Sequence, residues 1–168
     1  MRKISIITAT IALCAITGAG TSVAQQQAAG TRITTVGKNQ LIRNALIQST
    51  FRFNPERLTV SSGTTITIAD RDRPREPHTL SIVRRKALPG SVEEVFNCRP
   101  CRVAGAHVEG QNPKVHVNQG KPGLNRPGDS VWLAPGKSVT ARVTARAGKT
   151  LHYLCAIHGW MQGQIRVS

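Results

Sequence analysis

Short segments in which apolar and polar side chains alternate, or in which β-branched residues predominate, recur along this chain. Glycine- and proline-containing turns separate several of them, as at Ser62-Gly63 and Ala134-Pro135-Gly136-Lys137. The pattern predicts strands over residues 32–36, 47–53, 58–60, 64–68, 79–83, 131–133, 138–144, 150–155 and 163–167. Many short strands with regular turns indicate an all-β chain, either a sandwich or a barrel. A strand–helix–strand rhythm is absent, which disfavours a parallel α/β fold.

The alternating pattern stops over residues 84–130. Ser91 and Glu94 stand at capping-box spacing, which predicts one or two helical turns there. A stretch rich in Gly, Pro, Asn and Lys follows over residues 105–129. Because a loop of this length is unusual inside a compact domain, we interpret the whole segment as an insertion into the β-domain.

The amino terminus has the pattern of a signal peptide. Arg2 and Lys3 precede an apolar run over residues 4–16, and Ser22-Val23-Ala24 has small residues where a signal peptidase reads them. The apolar run is too short to span a bilayer as a stable helix, so a retained membrane anchor is the weaker alternative. We therefore predict cleavage after residue 24 and no stable membrane insertion afterwards.

Export to the periplasm or out of the cell follows from that prediction. Residues 25–30 form a polar lead-in that we expect to be flexible, and the predicted domain occupies residues 31–168. The chain has 23 Lys and Arg against 8 Asp and Glu; without Arg2 and Lys3, the net charge is +13. Such a charge steers association toward acidic partners. We do not expect nucleic acid among them, since aromatic residues are few and no recognition motif is present. The oligomeric state stays open.

The residues that indicate chemistry lie between the last two predicted strands. Cys155, His158 and Met161 stand within seven residues of one another, where a tight loop can turn all three toward one point. A thiolate and a thioether combined with imidazole favour copper. His78, at the start of a predicted strand, is the candidate for a second imidazole. Two histidines and a cysteine in a plane, with a long axial methionine, form a blue-copper site.

Several segments, in order, resemble the sequence pattern of the cupredoxins, the type 1 blue copper proteins of the plastocyanin and azurin kind. They are Phe53-Asn54-Pro55, Leu58-Thr59-Val60, residues 63–68, Pro77-His78 and the Cys-x-x-His-x-x-Met loop. The loop is most like that of amicyanin, because plastocyanin and pseudoazurin have a longer spacing between histidine and methionine. The resemblance covers roughly residues 50–83 and 131–168, so the insertion lies outside it.

That resemblance implies a Greek-key β-sandwich of about eight strands, one type 1 copper ion and outer-sphere electron transfer. It also implies that the edge of His158 reaches the surface as the electron port. Two positions depart from the family pattern. Thr79 stands where many members have an asparagine that braces the ligand loop, and Gly159 stands where a proline is common.

Cys98 and Cys101 form a second motif, Cys-Arg-Pro-Cys. In an oxidising compartment we favour a disulfide between them. A redox dithiol, or a second metal site completed by His107 and His116, are the alternatives. Covalent haem attachment is disfavoured because no histidine follows the second cysteine.

These patterns together predict an exported mononuclear type 1 copper protein that carries electrons between redox partners, one of them acidic, without enzymatic activity. A multicopper oxidase is disfavoured because the chain has no His-x-His pair. The alternative is a periplasmic protein for copper storage, delivery or resistance. Such proteins more often use several methionines, whereas only Met161 remains after cleavage. A metal-free structural domain would use the four predicted ligands for packing alone.

Overall fold

The computed structural model describes residues 31–108, 115–116 and 123–168, without the side chains of residues 106–108 and 115–116. The predicted signal peptide and lead-in therefore lie outside the described residues, as do the side chains of His107 and His116. The strands are β1 (Arg32–Val36), β2 (Asn39–Ile42), β3 (Leu46–Ser49), β4 (Arg52–Asn54), β5 (Arg57–Val60), β6 (Thr65–Asp70), β7 (His78–Val83), β8 (Val115–His116), β9 (Ser130–Leu133), β10 (Ser138–Arg142), β11 (Thr150–Leu154) and β12 (Gln162–Val167).

Ten of these strands form two sheets. The smaller sheet has the order β10-β6-β1-β4, and the larger has the order β5-β12-β11-β7-β9-β8, while β2 and β3 pair as a separate hairpin. Neighbours are antiparallel except for the pairs β1–β6 and β5–β12, which are parallel. Strands distant in sequence are neighbours in both sheets, as in Greek-key connections. The predicted all-β sandwich is confirmed.

The strands form because one side of each can be buried between the sheets. In β5, Leu58 and Val60 are buried while Arg57 and Thr59 are exposed, which is the period-2 pattern of a strand with one face in the core. Burying each large apolar side chain contributes about 1.5–3 kcal/mol. Members of this core from both sheets include Ile33, Phe53, Ile66, Ile68, Leu80, Ile82, Val131, Leu151, Tyr153 and Ile165.

One predicted strand, residues 47–53, is wrong as a single element. It comprises the end of β3 and the start of β4, which belong to different sheets. The break lies at Thr50, whose backbone N–H donates to the carbonyl of Lys38 and whose hydroxyl accepts from the Lys38 N–H. Lys38 and Thr50 are the next pair after Asn39 and Ser49 in the β2–β3 ladder. The ladder ends there because the Thr50 hydroxyl accepts from Lys38 where the backbone carbonyl would have continued it.

The insertion between β7 and β9 contains helices. A 3₁₀ turn (Arg85–Ala87) precedes α1 (Val92–Phe96) and α2 (Arg99–Val108). The Ser91 hydroxyl accepts from the backbone N–H of Glu94, and the Glu94 carboxylate accepts from the N–H of Gly90. This capping confirms the predicted helical turn, whereas α2 was not predicted. In the described part of the chain, neither helix has the length and apolar character needed to cross a membrane.

Candidate metal centre

Two neighbouring strands bring the predicted ligands to one place. His78 is the first residue of β7, and Cys155 directly follows the last residue of β11. The two strands pair antiparallel, with Leu154 opposite Ser81, so the start of one lies beside the end of the other. The short connection from β11 to β12 then carries His158 toward the same point.

His78, Cys155 and His158 form a cluster whose donor atoms face one another. The sulfur of Cys155 lies 3.8 Å from Nδ1 of His78 and 3.7 Å from Nδ1 of His158, and the two Nδ1 atoms are 3.2 Å apart. Nitrogen and sulfur ligands that share one ion bind it at about 2.0–2.3 Å, which places them roughly 3–4 Å from each other. All three side chains are buried. The cluster therefore fits a single metal ion.

The loop that carries the cluster is closed by its own backbone. The N–H of Cys155 donates to the carbonyl of Met161 at 2.9 Å, and the N–H of Met161 donates to the carbonyl of His158 at 2.8 Å. Met161 is buried in the core at the end of this turn. Met161 is thus buried and follows His158 by three residues in the chain. Its role as the axial ligand stays a prediction.

Neither a protein-family model nor a curated protein sequence matches this chain. Among solved structures, it is similar to a purple cupredoxin from Nitrosopumilus maritimus, with 19% identity over 82% of this chain and 99% of that chain, and a TM-score of 0.46. It is also similar to dithionite-reduced auracyanin from Roseiflexus castenholzii (22% identity, 82% and 97% covered, TM-score 0.41). A third similarity is to auracyanin A, a "blue" copper protein from Chloroflexus aurantiacus (20%, 82% and 98%, TM-score 0.42). At this level of similarity, the metal and the function have to be inferred from the chain's own residues.

Two sheets enclose one core, and the His-Cys-His cluster lies where β7 begins and β11 ends. The fold is a β-sandwich, similar to the solved cupredoxins named above. Within this domain, the structure brings together three of the four side chains that the sequence singled out, namely His78, Cys155 and His158. The donor set, one thiolate and two imidazoles, is the set that copper favours in such a plane.

Burial sets the protonation of the cluster. It lowers the pKa of His78 to about 4, with His158 nearby acting in the same direction. It also lowers the pKa of His158, although the Glu76 carboxylate opposes this shift. Both imidazoles are therefore neutral near pH 7, as metal ligands must be. Burial raises the pKa of the Cys155 thiol, so binding a metal ion there releases a proton.

Two carboxylates that the sequence reasoning missed contact the outer nitrogens of the histidines. Oδ2 of Asp72 lies 2.7 Å from Nε2 of His78, and Oε2 of Glu76 lies 3.2 Å from Nε2 of His158. The available signal was the presence of both acidic residues within six positions before His78. Metal-binding histidines commonly use their second nitrogen in this way.

Asp70, Asp72 and His78 are also close enough together to resemble a metal site. However, the Asp70 carboxylate already accepts hydrogen bonds from the Thr35 hydroxyl and from the backbone N–H groups of Asp72 and Gly136. The outer nitrogen of His78 is occupied by Asp72. This second cluster therefore belongs to the surroundings of the first and is not a separate site. Burial and the neighbouring Asp70 raise the pKa of Asp72 to about 7.

The insertion lies against the ligand loop. Cys98 and Cys101 form a disulfide, and both are buried. A Cβ atom on Gly159 would lie only 3.1 Å from the sulfur of Cys101, and 3.7 Å from both the sulfur of Cys98 and a methyl carbon of Val95. The departure from proline at this position therefore has a steric reason, since the insertion occupies the space that a side chain would need.

The predicted electron port is narrow. His158 is 7% exposed, and its outer nitrogen contacts Glu76. The indole of Trp160 packs on its ring at 5.2 Å between centroids. Trp160 and Ile157, each 43% exposed, are the apolar side chains of this loop that are exposed around it.

Proposed function

We propose that this chain is an exported mononuclear type 1 copper protein that carries electrons between redox partners. The single observation that carries the proposal is the convergence of the Cys155 sulfur and the Nδ1 atoms of His78 and His158 in a buried cluster. Met161 is proposed as the axial ligand. A bound copper ion would supply one-electron chemistry between Cu(I) and Cu(II).

The surroundings of the cluster support electron transfer because they hold the ligands in one arrangement. Phe51 packs against both imidazoles, with centroid distances of 5.7 Å to His78 and 5.1 Å to His158. The backbone N–H of Thr79 donates to the sulfur of Cys155. Buried side chains fixed by packing and hydrogen bonds rearrange little when the charge at their centre changes, and this keeps the reorganisation during electron transfer small.

The surface next to the ligand loop supports docking of a protein partner. Trp160 lines a groove of about 920 Å³ together with Ile47, Val92 and Phe96. Because the net charge without the predicted signal peptide is +13, we propose that the redox partner is acidic. Its association rate should then fall steeply as ionic strength rises. A rate that is insensitive to salt would reject the acidic partner.

Export is supported by the pattern of the first 24 residues and by the disulfide between Cys98 and Cys101, since such bonds persist in oxidising compartments. Expression of the full sequence, followed by cell fractionation and amino-terminal sequencing, tests it. We expect the protein outside the cytoplasm, starting at Gln25. Uncleaved protein in the cytoplasm would contradict export.

The central experiment is to add Cu(II) to the purified protein and record its visible absorption. We expect the intense band of thiolate-to-copper charge transfer and reversible bleaching on reduction. Cys155→Ser should lose the band. Colourless, tight Cu(I) binding alone would favour copper storage or delivery. Failure to bind copper in either state would leave a structural β-domain.

A further inference from the structure

In each histidine of the cluster, the nitrogen Nε2 contacts a carboxylate oxygen. The pair of Asp72 and His78 is completely buried, with 2.7 Å between Oδ2 and Nε2. The pair of Glu76 and His158 lies nearer the surface, with 3.2 Å between Oε2 and Nε2 and 30% of the Glu76 side chain exposed. In both rings, the nitrogen that faces the carboxylate is the one that points away from Cys155.

Both acidic residues are tied to other parts of the fold. The side-chain amide of Asn39, on β2, donates to Oε1 of Glu76 at 2.7 Å, which leaves Oε2 for His158. At Asp72 the backbone is held, since its N–H donates to the carboxylate of Asp70 at 3.1 Å, while Oδ1 has no hydrogen-bond partner among the described residues. The β2–β3 hairpin therefore orients the Glu76 carboxylate, and Asp70 fixes the backbone that carries Asp72.

The chemistry of these pairs decides which nitrogen carries the proton. An ionised carboxylate only accepts hydrogen bonds, so the ring nitrogen that faces it has to be the N–H donor. The other nitrogen of a neutral imidazole then carries the lone pair. In His78 and His158, that other nitrogen is Nδ1, which faces the sulfur of Cys155.

We propose that Asp72 and Glu76 are positioning residues that hold both imidazoles as the Nε2–H tautomer and bias the site toward the oxidised ion. The choice of tautomer concerns the metal-free protein, whereas the bias toward the oxidised ion rests on the proposed function. A negative charge behind a ligand stabilises Cu(II) more than Cu(I), because the oxidised ion carries the larger positive charge.

The tautomers can be read without any metal. In the metal-free protein with ¹⁵N-labelled histidines, long-range ¹H–¹⁵N spectra should show the Nε2–H pattern for both His78 and His158. In Glu76→Gln, the amide can donate as well as accept, so His158 should become a mixture while His78 stays unchanged. In Asp72→Asn, His78 should become a mixture of tautomers while His158 stays unchanged. An Nδ1–H ring in the wild type, or an unaltered His158 in Glu76→Gln, would overturn the inference, and Glu76→Gln suffices if Asp72→Asn does not fold.

The bias toward the oxidised ion is measured on copper-loaded protein. Loss of an outer-shell partner typically weakens metal binding about 10- to 100-fold. We expect Glu76→Gln to weaken Cu(II) binding about tenfold relative to Cu(I) binding, which for one electron raises the reduction potential by about 59 mV. Glu93→Gln removes the same charge from an exposed position on α1 and should leave the potential unchanged.

The outcomes separate this inference from the proposed function. Equal shifts in Glu76→Gln and Glu93→Gln would show a general charge effect and reject the positioning role. If the wild type shows the expected tautomers but binds no copper, the proposed function fails and the positioning of the histidines stands. If copper binds and the tautomers are wrong, the function stands and the inference fails.

Discussion

The backbone N–H of Thr79 donates a hydrogen bond to the sulfur of Cys155, with 3.3 Å between the two atoms. The hydroxyl of the same threonine accepts from the backbone N–H of Ala156 at 2.7 Å and from the hydroxyl of Ser81 at 3.0 Å. Thr79 directly follows His78, so one residue ties the first ligand strand to the loop that carries the other ligands. The threonine thus performs the bracing that the family pattern assigns to asparagine.

Thr79→Val should therefore destabilise the protein although it keeps the shape of the side chain. The substitution leaves the N–H of Ala156 without its acceptor and the hydroxyl of Ser81 with only the hydroxyl of Ser130 as a partner. Removing one partner of a buried hydrogen bond costs about 1–3 kcal/mol. Urea unfolding of the metal-free protein measures this cost. Thr79→Ser keeps the hydroxyl and serves as the matched control; a valine variant as stable as the serine variant would contradict the bracing role.

The sandwich and the ligand cluster could be predicted because both leave local signals in the sequence. A strand with one buried face alternates, as β5 does at Leu58 and Val60. Cys155, His158 and Met161 stand in one short loop, so their spacing alone suggests convergence. His78 was found because it begins a recognisable strand. Predicting the ligand cluster required one contact between segments distant in sequence, the pairing of β7 with β11.

The residues that contact the outer nitrogens of His78 and His158 could not be predicted, because their positions depend on contacts between segments distant in sequence. Nothing in the sequence near Glu76 shows that Asn39, on a hairpin 37 positions earlier, turns it toward His158. The helix α2 was missed because its sequence includes Gly105, a poor former of helix interiors, while Pro100 lies in its first turn, where proline is tolerated. Its first turn is tied instead by the disulfide that Cys101 makes with Cys98.

The disulfide should stabilise the insertion and, through it, the ligand loop. A bond that closes a loop of about four residues contributes roughly 2 kcal/mol in the chain-entropy model. We expect the double variant Cys98→Ala with Cys101→Ala to lose stability of this size in chemical unfolding. Amide hydrogen exchange at Gly159 should also accelerate, since the two sulfurs pack on this residue.

Reduction of the wild type by a phosphine provides the matched control for that double variant. It breaks the same bond while leaving both sulfur atoms in the protein. The two treatments should accelerate exchange at Gly159 to a similar degree. Unchanged exchange in both would show that the insertion does not restrain the ligand loop.

Met161→Leu separates the two possible roles of this methionine. The side chain is fully buried in the core, and leucine has a similar volume. Such a swap usually costs less than about 1.5 kcal/mol, so the metal-free protein should remain folded. If the thioether is the axial ligand, the visible spectrum and the reduction potential of the copper-loaded protein should both change. An unchanged spectrum and potential would assign Met161 to packing alone.

Tyr153 offers a test of the core away from the cluster. Its ring packs edge-on against Phe53 with 4.9 Å between centroids, which joins the two sheets. Its hydroxyl lies over Gly163, where a Cβ atom would overlap it. Within the described residues, this buried hydroxyl has no hydrogen-bond partner. Tyr153→Phe removes it and should be neutral or stabilising by up to about 1 kcal/mol at pH 7.

The same substitution should remove a loss of stability at high pH. Burial, with the charge of Glu56 nearby, raises the pKa of Tyr153 above its ordinary value of 10.0. The unfolded chain therefore releases the phenol proton as the pH rises through about 10, while the folded chain retains it. Because the folded state then binds more protons, its stability falls with rising pH. Urea unfolding between about pH 8 and 11 should show the advantage of Tyr153→Phe growing above pH 10. Parallel curves for the two proteins would show that the phenol ionises equally in both states.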